Sequence, residues 1–314
     1  MTQVTEVAKG IFKIGPLKTG TRTPETSPYL IVGKERALIW EPGETGQMAA
    51  LLEGIRQIRV DLDRIAYIIT SHIHLHHCQG VPELLQKIPK ATLMVHNRAV
   101  PYLIEPTQLN QSTFQVWGDG CPTIHPVPEK RMKALYGGEV IDLGKRELDI
   151  IDATGHAPHQ VAMFDRNTKA LFPGDAVGVL PLNNERASPD IRAPLFDVEK
   201  AVDSLHRLMA LKPKVLFVFG YGGVSHSPQK TMKWAEEDWR TVERICREGM
   251  KQKKNSLEIG RQVVQYYTKV GVMEEEKELR TTVAPFGMTN YLHKQDPSLE
   301  MPQRDESQPL HGRL

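Results

Sequence analysis

The sequence predicts an α/β protein in which two β-sheets pack together with helices outside. Three observations carry this reading. Short apolar strands bounded by turn residues form two blocks, one in the first 70 residues and one between 140 and 172. Each block leads into a stretch with helical apolar spacing, and residues 215–219 read as a buried strand. Strands followed by helices, twice over, suggest a pair of sheets covered on their outer faces.

Ile11–Ile14, Tyr29–Val32 and Ala37–Trp40 are the opening strands, the last two joined across a Gly33-Lys34 turn. Met48, Leu51, Leu52 and Ile55 recur at helical spacing over 47–58, and the apolar run Ile65–Ile69 follows. Residues 81–88 read as a helix, with Pro82 in the first turn where its missing N–H is tolerated, and 91–96 as a strand. Residues 100–138 lack clear periodicity and carry several prolines, so they are expected to form an insertion, a lid or substrate wall. The second block contributes strands at 140–143, 148–151, 161–164 and Ala170–Phe172. Val198, Ala201, Val202, Leu205, Leu208 and Met209 then form a helical stripe over 197–211.

From 229 the composition changes to long helical segments, 229–251 and 256–270, without further chemistry-bearing clusters. The expected division is a main domain over 1–228 and a helical extension over 229–314, ending in a loose polar tail from about 295.

A chain of 314 residues, 40% hydrophobic and 25% charged, can bury a large core. Its formal net charge of +2 exerts little pull on nucleic acid, and Lys251, Lys253 and Lys254 read as a solvated helix end. Cys78, Cys121 and Cys246 are scattered and odd in number, which fits a reducing cytoplasm better than a disulfide framework. The polar first residues lack a signal core, and no run is long enough to span a bilayer, so neither secretion nor membrane insertion is expected.

The informative segment is Thr70-Ser71-His72-Ile73-His74-Leu75-His76-His77-Cys78, which follows an apolar strand and precedes a helix. Side chains alternate along an extended backbone, so His72, His74 and His76 are expected on one side, with His77 swung in by the turn. Single histidines, such as His96, His125 or His206, are more often surface or core residues than ligands. Four in six residues at a strand end are instead a strong metal signal, since imidazole is the commonest zinc-type ligand. Two later loops add donors of the right type, Gly155-His156 and Gly174-Asp175, both placed after strands.

With these segments the chain resembles the metallo-β-lactamase superfamily over about residues 8–230. The family signature is His-x-His-x-Asp-His, then a Gly-His turn, a Gly-Asp loop and a last histidine. The resemblance implies the αββα sandwich fold. It implies a first metal held by His72, His74 and His156, a bridging Asp175, and a second metal bound by His77. Glu41-Pro42-Gly43 stands where relatives often carry an Asp-x-Gly turn.

Two departures from the signature bear on the second metal. The motif aspartate is His76 here, and Gly220 stands where the last histidine is expected. His226 in Gly222-Gly223-Val224-Ser225-His226 is the candidate replacement if that loop folds back. His159 is expected to support the site or orient substrate, and Cys78 to be a small residue beside a helix start.

The function expected is hydrolysis of an ester-, lactone- or thioester-like small molecule by a metal-activated water. Asp175 and His76 are the candidate catalytic residues, and His72, His74, His76, His77, His156, Asp175 and His226 the candidate metal ligands. Zinc is the expected cofactor, as one or two ions, with iron or manganese as alternatives. With Asp175 as the sole evident carboxylate, the second position is expected to bind more weakly and a single-metal enzyme is a real option. A mononuclear iron oxidoreductase and a scaffold without catalysis are the rival readings. No nucleic-acid partner is expected, and a homodimer is left open.

Overall fold

In the computed structural model, residues 2–18, 25–117, 121–182, 184–272 and 277–303 are described. The first half folds as β1 (Val4–Ala8), β2 (Ile11–Ile14), β3 (Tyr29–Val32), β4 (Ala37–Trp40), α1 (Met48–Ile58), β5 (Ile65–Ile69), α2 (Leu75–Cys78), α3 (Val81–Lys87), β6 (Thr92–His96), α4 (Val100–Ile104), α5 (Thr107–Trp117) and β7 (Met132–Leu135). The second half adds β8 (Val140–Asp142), β9 (Glu147–Asp152), β10 (Val161–Asp165), β11 (Ala170–Phe172), α6 (Val198–Ala210), β12 (Val215–Phe217), β13 (Val224–Ser225), α7 (Pro228–Lys251), α8 (Ser256–Lys269) and α9 (Lys277–Gln295).

The first sheet runs β1 to β7 in chain order, antiparallel as far as β4 and parallel beyond it. The second has the order β13-β12-β11-β10-β9-β8, with one parallel pair, β11 and β12. The two-residue period of the strands divides the interior into layers. On β10, Val161 and Met163 face the first sheet, whereas Ala162 and Phe164 face the helices; on β4, Leu38 and Trp40 enter the layer between the sheets while Ile39 packs outward. Three apolar cores result: one between the sheets, one beneath α1 and α3, and one beneath α6 to α9. This is the expected αββα sandwich.

A buried ion pair ties the sheets together at the end away from the histidines. Arg146 and Asp165 meet at 2.8 Å, and Arg146 also donates to the carbonyls of Lys9, Gly10 and Val32. Burial of a guanidinium is tolerable only with this degree of satisfaction.

The structure departs from expectation in four places. Residues 100–138 are not patternless: they hold α4, α5 and the edge strand β7, while 118–120 lie outside the described residues. β7 is illegible in the sequence because an edge strand needs no continuous apolar face, and only Leu135 of its four residues is fully buried. β1 and α9 are further elements that the apolar pattern does not mark. Finally, α7 to α9 do not have a core of their own. Met232, Trp239, Val242, Val263 and Met288 share one cluster with Leu171, Val202, Leu205 and Leu216. The polar end is also tied down as far as 303, with Leu299 buried and Ser256 N–H donating to the Gln303 carbonyl; residues 304–314 lie outside the described residues.

Candidate metal centre

Parallel strands β4 and β5 are neighbours, so their C-terminal ends open side by side, where α/β sheets place their ligands. β5 releases the chain into Ser71 and His72, and His74 is the N-terminal cap residue of α2, with extended backbone angles (φ −63°, ψ 137°). His76 therefore projects from a helical turn and not from a continuing strand as alternation predicts, and His77 projects from the same turn as expected. The four imidazoles do not meet at one point. They divide into two donor groups that share Asp175: His72, His74, His156 and Asp175, and His76, His77 and Asp175.

Two close approaches hold the later loops against the motif. Gly174 has φ +57°, and a Cβ there would lie 2.6 Å from the Ser71 side chain, so only glycine lets the Asp175 loop reach His72. Gly155, at φ +142°, would place a Cβ 2.3 Å from the Ala201 backbone of α6. The His156 turn is in this way pressed onto the helix whose N-terminus Asp197 caps.

In the first group the ring nitrogens crowd one another. His74 Nδ1 lies 2.8 Å from His72 Nε2 and 3.0 Å from His156 Nε2, while Asp175 Oδ2 lies 3.8 Å and 3.7 Å from those two. The Asp190 carbonyl can only accept, so at 2.8 Å it fixes the hydrogen of His156 on Nδ1 and leaves Nε2 a bare lone pair. Ser71 Oγ holds His72 Nδ1 at 2.9 Å and orients its Nε2 likewise. His74 Nδ1 carries at most one hydrogen and cannot satisfy both neighbours. A shared cation can: tetrahedral zinc with bonds of about 2.0–2.1 Å spaces its donors about 3.3–3.4 Å apart. The residues fit a metal ion.

In the second group His77 stands between two carboxylates. Its Nδ1 is 3.0 Å from Glu41 and its Nε2 is 3.3 Å from Asp175 Oδ2, with all three side chains almost wholly buried. Neither Glu41 oxygen has a hydrogen bond of good geometry, and the same holds for Asp175 Oδ2. Burial opposes an imidazolium here, yet Glu41 and Asp175 outweigh it and raise the His77 pKa to about 10. Burial also works against the Asp175 carboxylate, but His77 holds its pKa far below the usual range. For His72, His74 and His76, burial first and neighbouring rings second push the pKa well below 6.5, so these remain neutral donors.

Glu41 is the residue of the candidate centre whose place beside His77 the sequence does not reveal. Its signal is a carboxylate directly after the fully buried strand Ala37–Trp40. Its N–H donates to the Ile69 carbonyl, its φ is +56°, and the Gly43 N–H contacts the His77 carbonyl at 3.3 Å. The Glu-Pro-Gly turn thus lies against the histidine helix.

The remaining candidates fall outside both groups. His226 is exposed, its N–H facing Glu185 at 3.4 Å, so the glycine loop does not bring it to the centre. A side chain at Gly220 would collide with Val179, a Cβ there lying 2.3 Å from Cγ1. His159 is buried alongside His72, ring centroids 6.4 Å apart, and burial followed by His156 pushes its pKa down to about 4. Cys78 is fully buried, which pushes its thiol pKa up and leaves it unreactive. Gln79, at the end of α2, donates to the Thr123 carbonyl at 3.2 Å.

Residues 23–221, more than half of the chain, match the metallo-beta-lactamase superfamily, and the chain belongs to it. A metallo-beta-lactamase fold-containing protein of Sulfurisphaera tokodaii is 32% identical over 170 residues, 52% of this chain and 62% of that one. A metallo-beta-lactamase family protein of Thermus thermophilus has the same fold, with a TM-score of 0.70 at 15% identity over 92% of this chain and 95% of that one. Named activities occur among the relatives. An acyl-coenzyme A thioesterase of Gallus gallus is 27% identical over 115 residues, 35% of this chain and 40% of that one. A coenzyme F420H(2) oxidase of Methanocaldococcus jannaschii is 22% identical over 186 residues, 55% of this chain and 40% of that one.

Proposed function

We propose that this chain is a metal-dependent hydrolase of an ester-, lactone- or thioester-like small molecule. The observation that carries the reading is the convergence of three ring nitrogens beside a buried carboxylate, with His74 Nδ1 2.8 Å from His72 and 3.0 Å from His156. When bound there, a divalent ion brings the pKa of a coordinated water from about 15.7 to about 7 and polarises the bond under attack.

The chain's own residues do the rest. Ser71 and the Asp190 carbonyl lock the rings of His72 and His156, so the donors stand ready without rearrangement. Asp175 Oδ2, 3.3 Å from His77 Nε2, is a carboxylate able to accept a hydrogen bond from a water and orient it. The thioesterase relative supports the ester-like class. The oxidase relative favours redox chemistry instead, and a mononuclear iron oxidoreductase is the second reading. Among the described residues no helix is long and apolar enough to cross a membrane.

The test is a panel of nitrophenyl esters, lactones, acyl thioesters and phosphodiesters, run with zinc-loaded, iron-loaded and chelated protein. Zinc-dependent turnover of an ester-like member that vanishes in His74→Ala is expected. Full zinc occupancy with no turnover on the panel, or oxygen consumption by the iron-loaded protein alone, would sink the hydrolase reading.

A further inference from the structure

Both donor groups set imidazole nitrogens around one shared carboxylate, and, resting on the metal centre of the hydrolase reading, this donor set bears on which ions the chain accepts. His72, His74, His76, His77 and His156 present nitrogen, and Asp175 is the single carboxylate within the two groups. Imidazole favours zinc-type ions, whereas manganese and magnesium favour carboxylate and other oxygen donors. His76 is therefore a change of donor type as well as a loss of charge.

The lost charge has a counterpart one layer out. Glu41 stands 3.0 Å from His77 Nδ1, on the far side of the ring from Asp175, and is fully buried. A carboxylate behind a ligating imidazole fixes the ring and strengthens its basicity. Negative charge then reaches the second position without offering an oxygen to a hard cation. Donor type and charge are carried by separate residues.

We propose that the second position, formed by His76, His77 and Asp175, is a nitrogen-selective cation site: His76 makes it prefer zinc to manganese, and Glu41, acting through His77, supplies the charge that keeps it occupied.

Metal-free full-length protein is dialysed against zinc or manganese buffers, and bound metal is counted per chain for wild type, His76→Asp and Glu41→Gln. Cobalt absorption spectra report the donor set independently. Wild type is expected to hold two zinc ions but to leave the second position empty in manganese at the same free concentration. His76→Asp should shift the second-site preference toward manganese by about ten-fold or more, and Glu41→Gln should weaken the second zinc by about 10–100-fold without changing that preference. If Glu41→Gln fails to fold, Glu41→Asp, which keeps the charge but shortens its reach, takes its place and should weaken the second zinc in the same direction. One zinc per wild-type chain, or equal preference in wild type and His76→Asp, overturns the proposal and leaves the hydrolase reading standing. Retention of the first ion in His74→Ala would instead overturn the metal centre itself.

Discussion

Glu41 and Asp175 face opposite nitrogens of one buried ring, 3.0 Å and 3.3 Å from His77. In metal-free protein this arrangement stabilises a proton on His77, whose pKa rises to about 10. The sign follows from linkage. A folded-state pKa above the unfolded value of about 6.5 gives stability that is complete below 6.5 and is lost as pH rises toward 10. Chelated protein is expected to become less stable between about pH 7 and about pH 8, a window that ends below the ordinary thiol pKa of about 8.5, and Glu41→Gln should flatten that dependence. Urea unfolding at several pH values checks this; an unchanged slope in Glu41→Gln would show that Glu41 does not hold the proton.

Metal content separates the ligands that the fold assembles from those it leaves apart. His74→Ala and His156→Ala each remove a nitrogen from the crowded first group and should cost most of the tightly held metal. His226→Ala should retain the wild-type amount, since that side chain is exposed and its N–H faces Glu185. Elemental analysis of protein purified without chelators decides, and a loss of metal in His226→Ala would return that loop to the centre.

What is legible in the sequence follows from how each feature is encoded. The αββα layers are legible because alternation along strands such as Val161–Asp165 and helical spacing over Val198–Ala210 are local patterns. The candidate ligands are legible because His72, His74, His76, His77, His156 and Asp175 sit in short segments after strands. The division into two groups comes from the family resemblance and not from strand alternation, because it depends on His76 and His77 entering a helical turn whose cap residue is His74. Glu41 and Asp190 escape for a different reason: one acts through the neighbouring parallel strand, the other through a backbone carbonyl, which has no sequence signature. The fate of His226 depends on loop geometry, which spacing does not encode.

The Arg146–Asp165 pair predicts an asymmetric response to mutation. Removing one partner strands a buried charge, at a cost of about 3–5 kcal/mol. Asp165→Asn and Arg146→Met should each lower the urea midpoint strongly, while the double replacement should be less harmful than the sum of the two. Strict additivity would mean that the two side chains contribute independently, through packing and through the backbone carbonyls that Arg146 also engages.

The helices after residue 228 pack as part of the second sheet's core, so their removal should not leave a stable domain. Trp239 is fully buried on α7 and meets the ring of Phe196 at 6.1 Å, nearly edge-on. Truncating an aromatic side chain of this size in a packed core costs about 3–5 kcal/mol, a large share of the about 5–15 kcal/mol that typical domains possess. Trp239→Ala should therefore lower the unfolding midpoint of the entire chain in one cooperative transition. Cutting the chain after residue 228 is a harsher test, because it uncovers Val202, Leu205, Leu216 and Val218 together. The expected product aggregates or lacks a cooperative transition. A soluble fragment 1–228 that unfolds cooperatively and retains its metal would show that the two sheets and α6 hold the centre unaided, and that α7 to α9 are an added layer.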